Sequence, residues 1–168
     1  MSTQKIVTHS ANETQEFAAE FAAQILRQKP GKHAVVLALQ GDLGAGKTTF
    51  LQGFAKGLGI KEKILSPTFV ILKKFKITKS QTTNPKSQKN SKFKILNSKF
   101  SRFYHIDCYR LKDEKNLEVL GFKEIIANSE NIVTIEWPEK IKNILPKNIT
   151  SIQFNHAEEN KRELTIVV

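Results

Sequence analysis

Residues 41–48 read Gly-Asp-Leu-Gly-Ala-Gly-Lys-Thr, the full G-x-x-x-x-G-K-[ST] pattern of a phosphate-binding loop. Loops of this kind aim backbone N–H groups and a helix N-terminus at an anion. The expected nucleotide contacts are Gly41, Asp42, Leu43, Gly44, Ala45, Gly46, Lys47, Thr48 and Thr49. The Lys47 ammonium belongs on the β- and γ-phosphates, and the Thr48 hydroxyl on Mg²⁺. Holding ATP or ADP is only half of the chemistry. Turnover also needs an acid that positions the metal and a group that orients the nucleophile.

In doubly wound sheets such groups gather at the carboxyl ends of strands. Three later positions fit. Asp107 follows Phe103-Tyr104-His105-Ile106 and could hold Mg²⁺ through water, opposite Thr48; an ordinary turn or capping aspartate is the plain alternative. Glu136 follows Ile132–Ile135 and could order the attacking water or help hold the metal, or be an exposed strand-end acid. Thr68 follows Ser66-Pro67, whose proline restricts the backbone. Its hydroxyl could sense the γ-phosphate as switch segments do, or serve only the turn. The catalytic candidates are therefore Glu136, Asp107 and Thr68, and the metal candidates Thr48, Asp107 and Glu136. Beside them, His105 is either a polar partner of the site or a packed strand histidine. Trp137 is a core or stacking aromatic. Arg110 could pair with a carboxylate or meet phosphate charge.

The elements that must position these residues are legible around them. The apolar run 34–39 reads as the strand entering the loop, and 47–58 as the helix leaving it, stopped at Gly57 and Gly59. Ser10 and Glu13 form a capping-box pattern. Phe17, Phe21 and Ile25 then mark one apolar helix face, ending before Pro30-Gly31. Short strands are expected at 5–7, 103–107 and 131–136, and a Gly121-interrupted helix at 117–127. Residues 150–154 and 163–168 alternate like a terminal hairpin. This pattern implies an α/β fold: a phosphate-loop-type β-sheet flanked by helices, mixed rather than purely parallel.

Residues 1–168 suit a single domain with one core. No apolar stretch reaches transmembrane length, and 1–20 has no signal-peptide core, so no membrane partner is expected. Cys108 is the only cysteine, which excludes an internal disulfide and a multi-cysteine zinc site and fits a cytoplasmic location. The net charge of +11 is local. Residues 73–102 hold nine lysines, Arg102 and no acid, whereas the rest of the chain has 17 basic and 16 acidic side chains. The centre of this segment is too polar to bury. Its ends, Lys74-Phe75-Lys76-Ile77 and Lys92-Phe93-Lys94-Ile95, are near copies that read as two strand arms of a hairpin-like insertion. Such a segment is either a tolerated surface insertion or a contact for a phosphate backbone such as that of tRNA.

Taken together, 41–50, Ser66-Pro67-Thr68-Phe69, His105-Ile106-Asp107-Cys108-Tyr109-Arg110 and Ile135-Glu136-Trp137-Pro138-Glu139 resemble the TsaE (YjeE) family of small bacterial phosphate-loop ATPases. The resemblance implies an ATP-binding and ATP-hydrolysing component of the machinery that makes N6-threonylcarbamoyladenosine at tRNA position 37. It implies weak Mg²⁺-dependent ATPase activity alone, and activation on a TsaB–TsaD pair. It also implies metal association for Asp107, a catalytic role for Glu136 and a switch-like setting for Thr68. The family joins its second and third segments by a shorter hairpin, so the lysine-rich insertion departs from the pattern. Two other readings stay open. A small-molecule kinase would need an arginine-bearing lid, and this chain has four arginines in all. A nucleic-acid-binding module would use 73–102 and lose affinity steeply with salt.

Overall fold

The computed structural model describes residues 2–65, 70–77, 98–158 and 161–168, without the side chains of 156–158. Thr68, the 92–95 arm and the centre of the basic segment lie outside the described residues. In chain order the elements are β1 (Thr3–Thr8), α1 (Ala11–Arg27), β2 (Val35–Gln40), α2 (Lys47–Gly57), β3 (Leu72–Lys76), β4 (Arg102–Asp107), α3 (Lys115–Val119), α4 (Phe122–Ala127), β5 (Asn131–Glu136), a 3-10 turn at Pro138–Ile141, β6 (Thr150–Glu158) and β7 (Lys161–Val167). The seven strands form one mixed sheet in the order β1-β7-β6-β2-β5-β4-β3. The pairs β6–β2, β2–β5 and β5–β4 are parallel, and β1–β7, β7–β6 and β3–β4 are antiparallel.

Burial explains this order. Every residue of β5 is buried, as expected of a parallel strand covered on both faces. Its neighbour β2 is buried from Val36 to Leu39. On one face, Leu37, Leu39, Ile132, Ile152 and Phe154 pack beneath α1 and α2. Phe50 and Phe54 of α2 stack at 5.9 Å, and Phe50 meets Phe154 edge-on at 5.6 Å. On the other face, Val36, Ile106, Val133 and Ile135 pack with Leu117, Phe122 and Ile125 of the short helices. Among the described residues, no helix is long and apolar enough to cross a membrane.

Two local features follow from particular residues. Ser10 caps α1, its Oγ accepting from the Glu13 N–H at 3.1 Å, while Glu13 accepts from the His9 N–H at 2.8 Å. The capping box fixes where α1 begins and so aims its apolar face at α2. Gly57 ends α2, as expected, and also serves a second purpose. It is the last helical residue, and a Cβ there would sit 2.8 Å from the Ala22 Cβ of α1. A glycine in this register lets two helix backbones approach; Gly59, with φ +76, ends the turn that follows.

The lysine-alternating arm at 74–77 pairs, among the described residues, with β4, while the 92–95 arm lies outside them. Lys73–Lys76 belong to β3, the edge strand among the described residues, paired with β4 in the register Phe75↔Phe103 and Lys76↔Arg102. Phe75 stacks on Phe103 at 5.8 Å, and Ile77 and Phe100 are buried. The alternation therefore reads out one buried and one exposed sheet face. Lys74 and Lys76 point away from the Phe75 face and charge the edge, a common guard against edge-to-edge pairing.

Candidate phosphate-binding and catalytic site

The chain leaves β2 at Gln40 and enters α2 at Lys47, so residues 41–46 must turn sharply over the carboxyl end of the sheet. Gly41 and Gly46 make this possible. Gly41 has φ +136 and its Cβ position lies 3.0 Å from the Phe154 Cβ; Gly46, the α2 N-cap, has φ +102. The loop brackets one side of a cavity of about 290 Å³, lined by Leu43, Gly44, Gly46, Lys47, Thr48 and Thr49. Gly41, Asp42 and Ala45 are not in that lining. Gly41 and Asp42 contribute carbonyls to the lysine, as described next, and Ala45 is buried in the core beneath α2.

Lys47 is only 5% exposed. Its Nζ donates to the Gly41 carbonyl at 2.6 Å and to the Asp42 carbonyl at 2.9 Å, and lies 4.5 Å from the centroid of the Trp137 ring. Loop carbonyls and a cation–π contact thus hold the ammonium in place. Burial pulls the Lys47 pKa below its ordinary value, and the nearby charges of Glu136, Asp107, Glu139 and Asp42 pull it back up. The acidic neighbours favour the charged ammonium, the form that can meet a phosphate oxygen.

The far wall comes from β4 and β5. Asp107 and Glu136 are the last residues of the two strands and are register partners. Side-chain alternation puts both on the sheet face that carries Phe103 and Ile132, the face covered by α2. Both line the cavity and both are buried, opposite Lys47 and Thr48. Asp107 Oδ1 also accepts from the Tyr109 N–H at 2.9 Å, so its turn role and its place in the cavity coexist. Glu136 is not an exposed strand-end acid; it is 3% exposed.

Thr48, Asp107 and Glu136 offer oxygen donors to one cavity. Such a donor set suits a hard divalent cation that keeps part of its water shell, as Mg²⁺ does beside phosphates. No cluster of three or more His, Cys, Asp or Glu suited to a metal occurs among the described residues. A cation here would be shared with the bound phosphates rather than caged by protein.

Trp137 and Tyr109 complete the lining, their ring centroids 5.1 Å apart. Trp137 adopts φ +58, a left-handed conformation that a bulky side chain rarely takes, and its N–H reaches the Leu39 carbonyl at 3.3 Å. That turn swings the indole from the end of β5 over Lys47. Arg110 is exposed and outside the lining. Cys108 is buried, and burial raises its thiol pKa to about 12, which leaves it inert as a nucleophile.

Two contacts were not readable from the motifs. His105 bonds Glu136 from beneath, its Nε2 lying 2.8 Å from Oε1. Arg162 of β7 lies against the loop: a Cβ on Gly46 would meet its Cδ at 2.6 Å. Neither the distance along the chain nor any spacing rule ties residue 162 to residue 46. The link exists because β7 returns beside β6 at the loop's flank.

Comparisons with known proteins agree with this architecture. The family model described as threonylcarbamoyl adenosine biosynthesis protein TsaE matches residues 8–164. The tRNA threonylcarbamoyladenosine biosynthesis protein TsaE of Bacillus subtilis is 37% identical over 137 residues, covering 82% of this chain and 70% of the relative. The protein of the same name from Rickettsia bellii is 33% identical over 163 residues, covering 96% and 93%. The crystal structure of Bacillus subtilis YdiB superposes with a TM-score of 0.68 at 32% identity, covering 98% of this chain and 84% of that one. With a family model spanning nearly the whole chain and the phosphate loop, Asp107 and Glu136 gathered at one end of its sheet, this protein belongs to the TsaE family.

Proposed function

We propose that the protein binds and hydrolyses ATP with Mg²⁺ in the cytoplasm, as the ATPase component that serves a TsaB–TsaD pair in making N6-threonylcarbamoyladenosine at tRNA position 37. Family membership supports the pathway. The observation that carries the chemistry is the convergence of Asp107 and Glu136, register partners on adjacent parallel strands, on the cavity that holds Lys47 and Thr48.

The residues divide the work as follows. Loop N–H groups from Gly44 to Thr49 and the α2 N-terminus receive the phosphates. Lys47 exchanges its two carbonyl partners for phosphate oxygens, moving a short distance from a position already beside them. Mg²⁺, when bound, neutralises phosphate charge; Thr48 and Asp107 would hold it. Glu136 accepts a hydrogen bond from the attacking water and aims it along the γ-phosphate axis. Thr68 has its proposed role in the switch-like segment.

Among the described residues, no arginine lines this cavity. Some phosphate-loop NTPases are slow until a partner supplies an arginine to the transferred phosphate. This supports weak turnover by the protein alone and activation by its partners. A secondary contact with tRNA falls to the basic edge, where Lys74, Lys76 and Arg102 are exposed.

Two variants test the chemistry. Lys47→Ala removes the loop ammonium and should weaken ATP binding by roughly ten- to a hundredfold, the worth of a charged hydrogen bond. Glu136→Ala should bind ATP normally and hydrolyse it slowly. Unchanged affinity in the first variant removes the phosphate-loop reading, and unchanged turnover in the second makes Glu136 structural.

A further inference from the structure

His105 is fully buried in β4, one alternation step before Asp107 on the same sheet face, with Thr134 of β5 as its register partner. Its Nε2 lies 2.8 Å from Glu136 Oε1, a buried contact between two side chains on neighbouring strands. A carboxylate only accepts hydrogen bonds, so Nε2 carries the ring proton. Nδ1 is buried and has no hydrogen-bond partner among the described residues. His105 itself does not line the cavity, whereas Glu136 does.

We propose that His105 is the positioning residue of the site: its Nε2–H pins one oxygen of Glu136 and thereby leaves the other to face the cavity. This rests on the reading of Glu136 as the group that orients water. The physical reason is conformational. A glutamate has three side-chain torsions, and at a strand end beside an open cavity it would sample several rotamers. One buried hydrogen bond from a ring that cannot move removes that freedom. The carboxylate is then pre-oriented before ATP arrives, the arrangement by which supporting residues sharpen a reacting group. The Nε2 proton also settles which carboxylate oxygen is occupied, so the free one is the acceptor left for water.

The test compares kcat and ADP affinity in His105→Phe, His105→Asn and His105→Gln, with Glu136→Gln as reference. Phe and Asn withdraw the donor from Glu136, while Gln offers an amide N–H at a reach close to that of Nε2. Phe and Asn should lower kcat roughly ten- to a hundredfold, the usual cost of losing an outer hydrogen-bond partner, with ADP affinity unchanged. Gln should recover most of the loss, and adding His105→Phe to Glu136→Gln should slow turnover no further. Wild-type turnover in folded Phe and Asn variants, or a Gln variant as slow as Phe, overturns the proposal. If Glu136→Gln itself turns over normally, the reading of Glu136 fails instead. Nitrogen-15 NMR of the unmodified protein gives a readout independent of activity and of variant folding. A proton on Nε2 is expected; a ring protonated on Nδ1 alone overturns the proposal.

Discussion

Replacing Gly53 by alanine tests whether α1 and α2 are held at backbone contact. Gly53 faces Gln15 of α1, and a Cβ built there would lie 2.7 Å from the Gln15 carbonyl carbon, with other backbone atoms of that residue nearer still. Backbone cannot step aside as the end of a flexible side chain can. Overpacking of this kind costs about 1–3 kcal/mol, and contact with main chain puts Gly53→Ala toward the upper end. Against this, alanine in place of glycine inside a helix gains about 1 kcal/mol. The balance is a net loss of about 1–2 kcal/mol. For a chain of this size each kcal/mol moves Tm by about 2–4 °C, so Gly53→Ala should melt about 2–8 °C lower. Gly31→Ala is the control. A Cβ at Gly31 meets nothing within 4 Å, and its stability should stay level or rise slightly. Thermal and urea unfolding of the three proteins measure this. Since Lys47 and Thr48 open α2, the same variant should also weaken ADP binding. A Gly53→Ala protein as stable as the parent, or more so, would refute the close approach of the two helices.

Two further predictions concern the free site. Burial places the Lys47 pKa below the ordinary 10.5 in the free protein, and bound phosphate favours the ammonium and raises it again. ADP affinity should therefore be flat at neutral pH and begin to fall before pH 10.5, at the steepest about tenfold per pH unit, with proton uptake in calorimetry; affinity unchanged up to pH 10.5 contradicts the buried lysine. Trp137 is the only tryptophan in the chain and its ring lies 4.5 Å from the Lys47 ammonium. Emission should change when ADP draws the ammonium away, and Lys47→Met should already differ without ligand; an unresponsive signal at saturating ADP contradicts the contact.

What the sequence announced and what it concealed separate along physical lines. The glycine loop, the strand before it and the helix after it are local, set by residue types within about twenty positions. Asp107 and Glu136 were found for a related reason: each ends an apolar run, and strand ends in such sheets face the site. Their register pairing was beyond reach, because it depends on β4 and β5 lying side by side. His105 looked like either a site partner or a packed strand residue, and only the third dimension brought it to Glu136. Gly57 ends α2 as its position suggests, but its contact with Ala19 and Ala22 of α1 could not be seen without the partner helix. The lysine-alternating arm at 74–77 had the right period, but its pairing with β4 joins the two ends of the basic segment and no local signal announces it. Arg162 carried no signal, since its position against Gly46 follows from strand order alone. Thr68 lies outside the described residues, and its proposed switch role rests on its place in the Ser66–Phe69 segment.

The most direct measurement of the central claim is ATP hydrolysis by the purified protein, alone and with a TsaB–TsaD pair from the same source. Slow Mg²⁺-dependent turnover alone, rising clearly with the pair and abolished by Lys47→Ala, is the predicted result. Bound ATP with no rise on adding the pair would contradict a partner-activated ATPase and turn attention to transfer of the γ-phosphate to a small molecule.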